Sequence, residues 1–245
     1  GVALASSLQG STLEISFEHL IRDRLVRHDS LRYENSSGED YSSTRLSYLV
    51  SGFALQSVEG EWITPQDNIA WIDSTRSRTR HRLGSIPNDK YRAVAFHVGV
   101  SPKLNHADPA QFPADHPLNP NLNNLHWNWQ GGYIFMALEG HWRGKEQSAI
   151  EGYAYHYATD AMYTRVELPI QLDVNDTSQI TIGLDLSRIL DGLSFEKDGA
   201  TTHSAQGDPV SIRIQENLTD AFRILNTGAK LKTPPVGKLQ PIDLP

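Results

Sequence analysis

Tryptophan and histidine are concentrated in one stretch of the chain. Three of the five tryptophans fall between residues 127 and 142, at Trp127, Trp129 and Trp142. Four of the ten histidines lie in or near the same stretch, at positions 106, 116, 126 and 141. Imidazole is a common metal ligand, and indole rings pack in cores or against ligands. This stretch is therefore the first candidate for a functional site.

The composition limits the chemistry that such a site can use. The chain has no cysteine and only two methionines, Met136 and Met162. This excludes thiolate zinc sites, iron-sulfur clusters and a cysteine nucleophile, and a soft metal would have to rely on nitrogen ligands. The sequence patterns of serine hydrolases, phosphate-binding loops and zinc proteases are also missing, so an enzyme is not expected. With 29 acidic against 22 basic residues and a net charge of -7, nucleic acid is not an expected partner.

The elements that must position these residues are predicted to be strands. Leu13, Ile15 and Phe17 alternate with polar residues, and residues 166–174 repeat the same period of two, which indicates half-buried strands. Similar but less regular patterns cover residues 45–55, 91–100, 133–139, 153–158 and 180–186. Seven or more strands in 245 residues favour an all-β fold, an antiparallel β-sandwich with a few short helices.

The helical signals and the loops divide the rest of the chain. Residues 187–193 predict a helical turn, and Asp208-Pro209 predicts the start of a helix that continues to Leu225. The 26-residue stretch 101–126 carries five prolines and five asparagines, and long loops of this kind are usually functional. The basic run from Arg76 to Arg82 is interpreted as a solvated loop that could meet an acidic partner.

The domain prediction is a flexible segment at residues 1–11, one sandwich domain at 12–228 and a Pro-rich extended tail at 229–245. No apolar run approaches the roughly 20 residues that span a bilayer, so no transmembrane segment is expected. The first residues lack a charged region followed by an apolar core, so any signal peptide is expected to have been removed.

Several sequence blocks resemble one known family. They are Tyr48-Leu49-Val50-Ser51, Phe96-His97-Val98-Gly99-Val100, Leu104-Asn105-His106-Ala107-Asp108-Pro109, Trp127-Asn128-Trp129-Gln130-Gly131-Gly132-Tyr133-Ile134-Phe135, Leu138-Glu139-Gly140 and Tyr155-His156. In this order they resemble the MbnP family, whose relatives include the copper-repressible surface proteins CorA and MopE. The resemblance covers roughly residues 12 to 226.

The resemblance implies a periplasmic or cell-surface bacterial protein of copper homeostasis that binds one copper ion per chain as Cu(I). In the family, the first tryptophan of the Trp-x-Trp motif is oxidised to kynurenine by MbnH, a dihaem partner of the cytochrome c peroxidase and MauG type. That position is Trp127 here. The implied metal ligands are the kynurenine formed from Trp127, His106 and His156.

The chemistry of tryptophan agrees with such a modification. The indole nitrogen donates a hydrogen bond and has no lone pair free for a metal. Kynurenine instead carries an arylamine with an available lone pair. Oxidation would therefore convert a packing residue into a nitrogen donor in a chain that lacks cysteine.

Four further residues are kept as reserve ligands or as residues that support the ligands: His97, His126, Trp129 and Asp108. His97 is expected on the strand face opposite Phe96 and Val98, and His126 on the face opposite Trp127. Asp108 or Asp115 could accept a hydrogen bond from a metal-bound imidazole. For His203 the default interpretation is a structural hydrogen bond.

Two alternatives remain open. Trp127, Trp129, Trp142 and nearby tyrosines could form an aromatic platform that binds carbohydrate. Trp127 and Trp129 would also lie on the same face of a strand, so they could be a stacked pair in the core of a structural or interaction module.

Overall fold

A computed structural model describes residues 10–66, 68–146, 148–175 and 177–227. Its strands are β1 Ser11–Ile21, β2 Arg24–Leu25, β3 Tyr33–Glu34, β4 Asp40–Tyr41, β5 Arg45–Ser57, β6 Trp62–Ile63, β7 Ile69–Asp73, β8 Arg80–Ile86, β9 Asp89–Val98, β10 Ile134–Arg143, β11 Glu151–Ala158, β12 Thr164–Val174, β13 Thr177–Asp185, β14 Thr201–Thr202 and β15 Phe222–Thr227. Its helices are α1 Pro102–Asn105, α2 Pro120–Asn123, α3 Leu186–Ile189, α4 Phe195–Asp198 and α5 Pro209–Ala221, with 3-10 turns at Pro109–Gln111 and Asp160–Met162.

The strand pattern predicted from the sequence is confirmed. In β1, Leu13, Ile15 and Phe17 are buried while the polar residues between them are half-buried. In β12 every second residue is buried and the others are exposed. Alternation of this kind places one face of each strand in the core.

The strands form two sheets that pack face to face. The smaller sheet has the order β15-β13-β1-β2, with β8 also beside β1, and the larger one follows β12-β9-β5-β10-β11-β14. The inner faces meet where Phe17 of β1 packs edge-on against Tyr48 of β5 and Phe96 of β9. This arrangement confirms an all-β sandwich. Most pairings are antiparallel, but β1 with β13 and β11 with β14 are parallel.

The basic run from Arg76 to Arg82 is not entirely a solvated loop, so that prediction is wrong for its last residues. From Arg80 onward the chain is strand β8, which pairs with β1, and Arg82 lies opposite Glu14 and forms an ion pair with it at 3.2 Å. Leu83 is buried in the core. The charged side chains on the outer face of β8 obscure the strand pattern in the sequence, because only a few residues of this strand are buried on the inner face.

The long helix α5 begins where it was predicted. The Asp208 side chain accepts a hydrogen bond from Ser211 N at 2.9 Å, and Pro209 is the first helical residue, as is typical of a capped helix start. The predicted end at Leu225 is wrong, because the helix stops at Ala221 and the chain continues as β15. Phe222 packs against Tyr48 and Phe96 in the core, and pairing with β13 outweighs the local helical pattern.

The Pro/Asn-rich stretch 101–126 is ordered by its own polar side chains. It contains α1, α2 and one 3-10 turn, each beginning with proline after a capping residue. The buried Asn123 accepts a hydrogen bond from Leu125 N at 2.7 Å and donates one to Pro117 O at 2.6 Å. Asparagine amides therefore satisfy the buried backbone groups of this stretch.

The predicted tail at 229–245 lies outside the described residues, as do the first nine residues of the predicted flexible segment 1–11. No helix in the described ranges is long and apolar enough to cross a membrane.

Candidate metal centre

Trp127 and Trp129 lie on a tight turn and not on a strand, so the prediction of a shared strand face is wrong. His126 and Tyr133 form an isolated antiparallel bridge, and Trp127 N donates a hydrogen bond to Gly132 O at 3.0 Å. Gly132 has φ +107°, and a Cβ at this position would lie 3.0 Å from Asn105 Oδ1. The positive φ and the close approach explain why glycine stands here.

The turn nevertheless brings the two indole rings into contact. Their centroids are 5.6 Å apart with the planes at 40°. Trp127 is 8% exposed, whereas Trp129 is 72% exposed. The motif therefore places one ring in the protein and the other on its surface.

Two histidines complete a group that we call the Trp127 cluster: Trp127, Trp129, His156 and His203. The Trp127 ring centroid lies 6.1 Å from that of His156 and 5.7 Å from that of His203. The two imidazoles are 5.8 Å apart, and His203 also lies 6.1 Å from Trp129. The structure thus joins the predicted residues Trp127 and His156 with a histidine that was expected to be structural.

His156 is held in place by a carboxylate. Its Nε2 lies 2.8 Å from Glu139 Oε1, whereas its Nδ1 is buried and has no hydrogen-bond partner among the described residues. A hydrogen bond to a carboxylate fixes the proton on Nε2 and leaves the lone pair of Nδ1 free. His156 therefore offers one nitrogen with an unused lone pair.

Glu139 is in turn held by Arg45. The Arg45 Nη1 donates to Glu139 Oε1 at 2.9 Å, and its Nη2 donates to Asn124 O at 2.9 Å. The hydrogen bond from His156, together with Arg45, lowers the pKa of Glu139 although burial opposes the shift. The carboxylate is therefore ionised at neutral pH and accepts from both neighbours.

The segment after β14 positions His203. Tyr155 pairs with Thr202 in the parallel β11–β14 ladder, which brings the next residues, His156 and His203, side by side. The buried Ser204 accepts a hydrogen bond from Ala158 N at 3.0 Å and donates one to the His156 carbonyl oxygen at 2.9 Å. These bonds tie the backbone of both histidines together and leave the exposed His203 side chain against the Trp127 ring.

His106 is not part of the Trp127 cluster, but it lies at the surface near Trp127. Its side chain is 61% exposed, and its Nε2 lies 2.7 Å from Asp160 Oδ2. Burial alone would raise the pKa of Asp160, but hydrogen bonds from Asn105 and His106 lower it overall. His106 and Trp127 both line a cavity of about 450 Å³. His106 therefore has a carboxylate partner of its own on the side of Trp127 that faces this cavity.

The reserve histidines lie outside the Trp127 cluster. His97 stacks on Tyr163 with centroids 4.3 Å apart, and burial together with Arg165 lowers its pKa. It is half-buried while Phe96 and Val98 are buried, as their opposite faces predicted. His126 packs edge-on against Tyr133 at 4.8 Å, and burial lowers its pKa.

The carboxylates that support histidines are not the predicted ones. Asp108 accepts a hydrogen bond from Ala110 N at 2.9 Å and begins a 3-10 turn. Glu139 and Asp160 contact the histidines instead. Glu139 is identified only through the register of the β10–β11 pair, which places Ala137 opposite His156 and makes Glu139 the diagonal neighbour of His156 on the same face.

The alternatives for the tryptophan cluster receive different support. Trp142 is 4% exposed and stacks on Phe195, so only Trp129 among the three platform residues presents an exposed ring. Trp127 is buried and belongs to the hydrophobic core, as a core pair requires, and it also contacts the rings of Trp129, His156 and His203.

The donor set restricts what could bind here. Among the described residues, no three histidine or carboxylate side chains are grouped closely enough to hold a metal ion. The Trp127 cluster supplies two imidazoles and one buried, unpartnered nitrogen. A metal at this place would need a further donor, and Trp127 is the side chain that both imidazoles contact.

Two comparisons with known proteins find a match to this chain. The family described as MbnP matches residues 10–205. The solved structure of MbnP from Methylosinus trichosporium is similar over 90% of this chain and 99% of that one, with a TM-score of 0.55 and 16% sequence identity. At this identity the likeness shows a shared fold. A comparison with curated proteins finds no match.

Proposed function

The chain belongs to the MbnP family, and on this premise we propose that it is a copper-binding protein and not an enzyme. It holds one Cu(I) ion per chain as part of copper homeostasis, in the periplasm or at the cell surface. The ligands in this proposal are His156, a second histidine and the kynurenine that replaces Trp127.

The free Nδ1 of His156 carries the proposal. Histidines that bind metals usually donate their second ring N–H to a carboxylate or a carbonyl, which orients the ring and makes the binding nitrogen more basic. His156 has this arrangement, with Glu139 on Nε2 and a buried, unpartnered Nδ1. A buried polar atom without a partner is costly, and a metal bond would remove that cost.

His203 is the second histidine that the geometry favours. It contacts both His156 and Trp127, with centroid distances of 5.8 and 5.7 Å. His106, the ligand implied by the family motif, instead forms a hydrogen bond with Asp160 and lines the cavity. The two candidates make different predictions for variants, which are given below.

The modification of Trp127 supplies the missing donor in the proposal. The chain has no cysteine, and Met136 is completely buried in the core, so sulfur ligands for a soft ion are scarce. An intact indole is no ligand. Oxidation by a dihaem partner of the MbnH type would give an arylamine at a residue whose ring lies against both imidazoles.

The experiment measures copper and modification together. The chain is produced with its dihaem partner, and peptide mass spectrometry is compared with Cu(I) stoichiometry from elemental analysis after removal of loose metal. We expect kynurenine at Trp127 and one copper per chain. A copper-loaded protein with an intact Trp127 would refute the kynurenine ligand.

Single variants identify the histidines. His156→Ala and His203→Ala are expected to abolish stoichiometric copper, whereas His106→Ala and the exposed control His141→Ala are expected to retain it. Loss in His106→Ala with retention in His203→Ala would restore the ligand set that the family motif implies. Full copper binding by His156→Ala would refute the site itself.

A further inference from the structure

Trp129 is the most exposed large apolar side chain among the described residues, at 72%, yet its ring packs on the 8% exposed ring of Trp127. Exposure of a whole indole leaves its apolar area in water and forgoes the stabilisation that burial would give. The pair forms a continuous path of two conjugated rings from the surface to Trp127. Such a path would let an oxidant at the surface act on the buried ring.

We propose that Trp129 is the surface relay through which Trp127 loses electrons during its oxidation. The inference rests on the proposed function, in which a haem in another protein oxidises Trp127. Electron transfer through protein becomes slower steeply with distance, and the haem must stay outside the surface of this chain. An easily oxidised ring at the surface divides the transfer into two shorter steps.

The charges around the tryptophans favour this route. The guanidinium of Arg165 lies 4.9 Å from the centroid of Trp62, and those of Arg78 and Arg76 lie 4.6 and 5.8 Å from the centroid of Trp71. No guanidinium or ammonium of the described residues takes such a position over Trp127 or Trp129. A cation over a ring makes removal of an electron harder by Coulomb repulsion, so the other exposed tryptophan, Trp62, is protected and Trp129 is not.

The relay step balances as follows. The haem of the partner, oxidised by hydrogen peroxide, would supply a one-electron oxidant, and Trp129 would give it one electron. The Trp129 radical cation then takes one electron from Trp127 and is restored. Opening of the Trp127 ring to N-formylkynurenine adds two oxygen atoms from two water molecules and releases four electrons and four protons. The four electrons leave one at a time through Trp129 in four such steps, and together with the four protons they reduce two molecules of hydrogen peroxide at the partner to four molecules of water.

Hydrolysis of the formyl group then consumes a further water and releases formate, which leaves kynurenine. Trp129 is unchanged at the end and is a positioning residue for the electron path, not a ligand. Phenylalanine at position 129 would keep a ring of similar shape but is too hard to oxidise. Tyrosine keeps both the ring and the ability to pass an electron.

The test compares Trp129→Phe, Trp129→Tyr and the matched control Trp62→Phe in the full chain. Each is exposed to its dihaem partner with hydrogen peroxide and, separately, to photogenerated tris(bipyridine)ruthenium(III), a bulky one-electron oxidant. Peptide mass spectrometry follows the initial rate at which Trp127 is lost. We expect Trp129→Phe to slow this rate by an order of magnitude or more with both oxidants, and Trp129→Tyr and Trp62→Phe to stay close to the parent chain.

An unchanged rate in Trp129→Phe would overturn the inference. An equal slowing in Trp129→Tyr would also overturn it, because the indole would then act by contact with the partner and not by passing electrons. Near-ultraviolet circular dichroism checks that the fold is kept, as expected for an exposed position. If the dihaem partner leaves Trp127 of the parent chain intact while the ruthenium oxidant acts through Trp129, the proposed function fails and the relay stands.

Discussion

Replacing Glu139 by glutamine tests the carboxylate that supports His156. Glu139 Oε1 accepts hydrogen bonds from Nε2 of His156 at 2.8 Å and from Nη1 of Arg45 at 2.9 Å. A glutamine of the same size keeps an acceptor oxygen but has no charge, and its amide group can also turn so that N–H faces the ring. The tautomer that leaves Nδ1 free for a metal is then less favoured.

The expected effect follows from what such partners contribute to metal sites. Loss of the residue that orients a metal-bound histidine typically weakens metal affinity by about 10- to 100-fold, or about 1.4 to 2.8 kcal/mol. Stability should also fall, since a hydrogen bond to a charged group contributes about 1.5 to 3 kcal/mol, and Glu139 is only 29% exposed. Arg45 keeps its second anchor on Asn124, so the loss should stay local.

The assay is an anaerobic competition titration with a chromophoric Cu(I) chelator on protein that carries the modification. Asp160→Asn is the matched control, because Asp160 supports His106 in the way that Glu139 supports His156. We expect weaker Cu(I) binding in Glu139→Gln and unchanged binding in Asp160→Asn. The opposite result would place the ligand at His106, and unchanged affinity in both variants would refute the role of the carboxylates.

Three further predictions concern the frame of the site. Gly132→Ala should destabilise the turn by about 1–3 kcal/mol, because φ is +107° and the new Cβ would press on Asn105; urea unfolding measures the loss. Asp208→Ala should cost about 1 kcal/mol of stability through the lost cap of α5, seen as a lower melting temperature. Burial lowers the pKa of His19 to about 4, so between about pH 6.5 and 4 this side chain is neutral in the folded protein but protonated in the unfolded chain. As pH falls through this range, the free energy of unfolding should therefore decrease by about 3 kcal/mol because of this residue. A urea-unfolding free energy that does not change with pH over this range would contradict the prediction.

The predicted strands follow from short-range patterns that each segment carries by itself. Burial alternates throughout β12 and along the first eight residues of β1, so hydrophobicity alone decides which face of these strands is buried. The end of α5 was different, because Phe222 and Leu225 fit a helical period as well as a strand. Only pairing of Phe222–Thr227 with β13 decides between them, and this contact lies about 40 residues away in sequence.

The residues of the candidate site also divide into those that the sequence indicates and those that only tertiary contacts bring together. Trp127 and His156 were predicted as site residues from the order of sequence blocks that resemble a family. The position of His203 beside His156 was not predicted, because it depends on the parallel pairing of β11 with β14, which no local pattern reveals. The charge state and orientation of Glu139 likewise depend on Arg45, which lies 94 residues away.

The sequence by itself determined the strand-rich fold, the scarcity of sulfur ligands, the family resemblance and the clustering of tryptophan and histidine around Trp127. These depend on residue types and on short-range periodicity, which are properties of the chain in any conformation. The tertiary structure decided which histidine lies against Trp127, which carboxylate fixes its tautomer, and that Trp129 stands at the surface. Such facts are distances between residues far apart in sequence, and they exist only after the sheets have paired and packed.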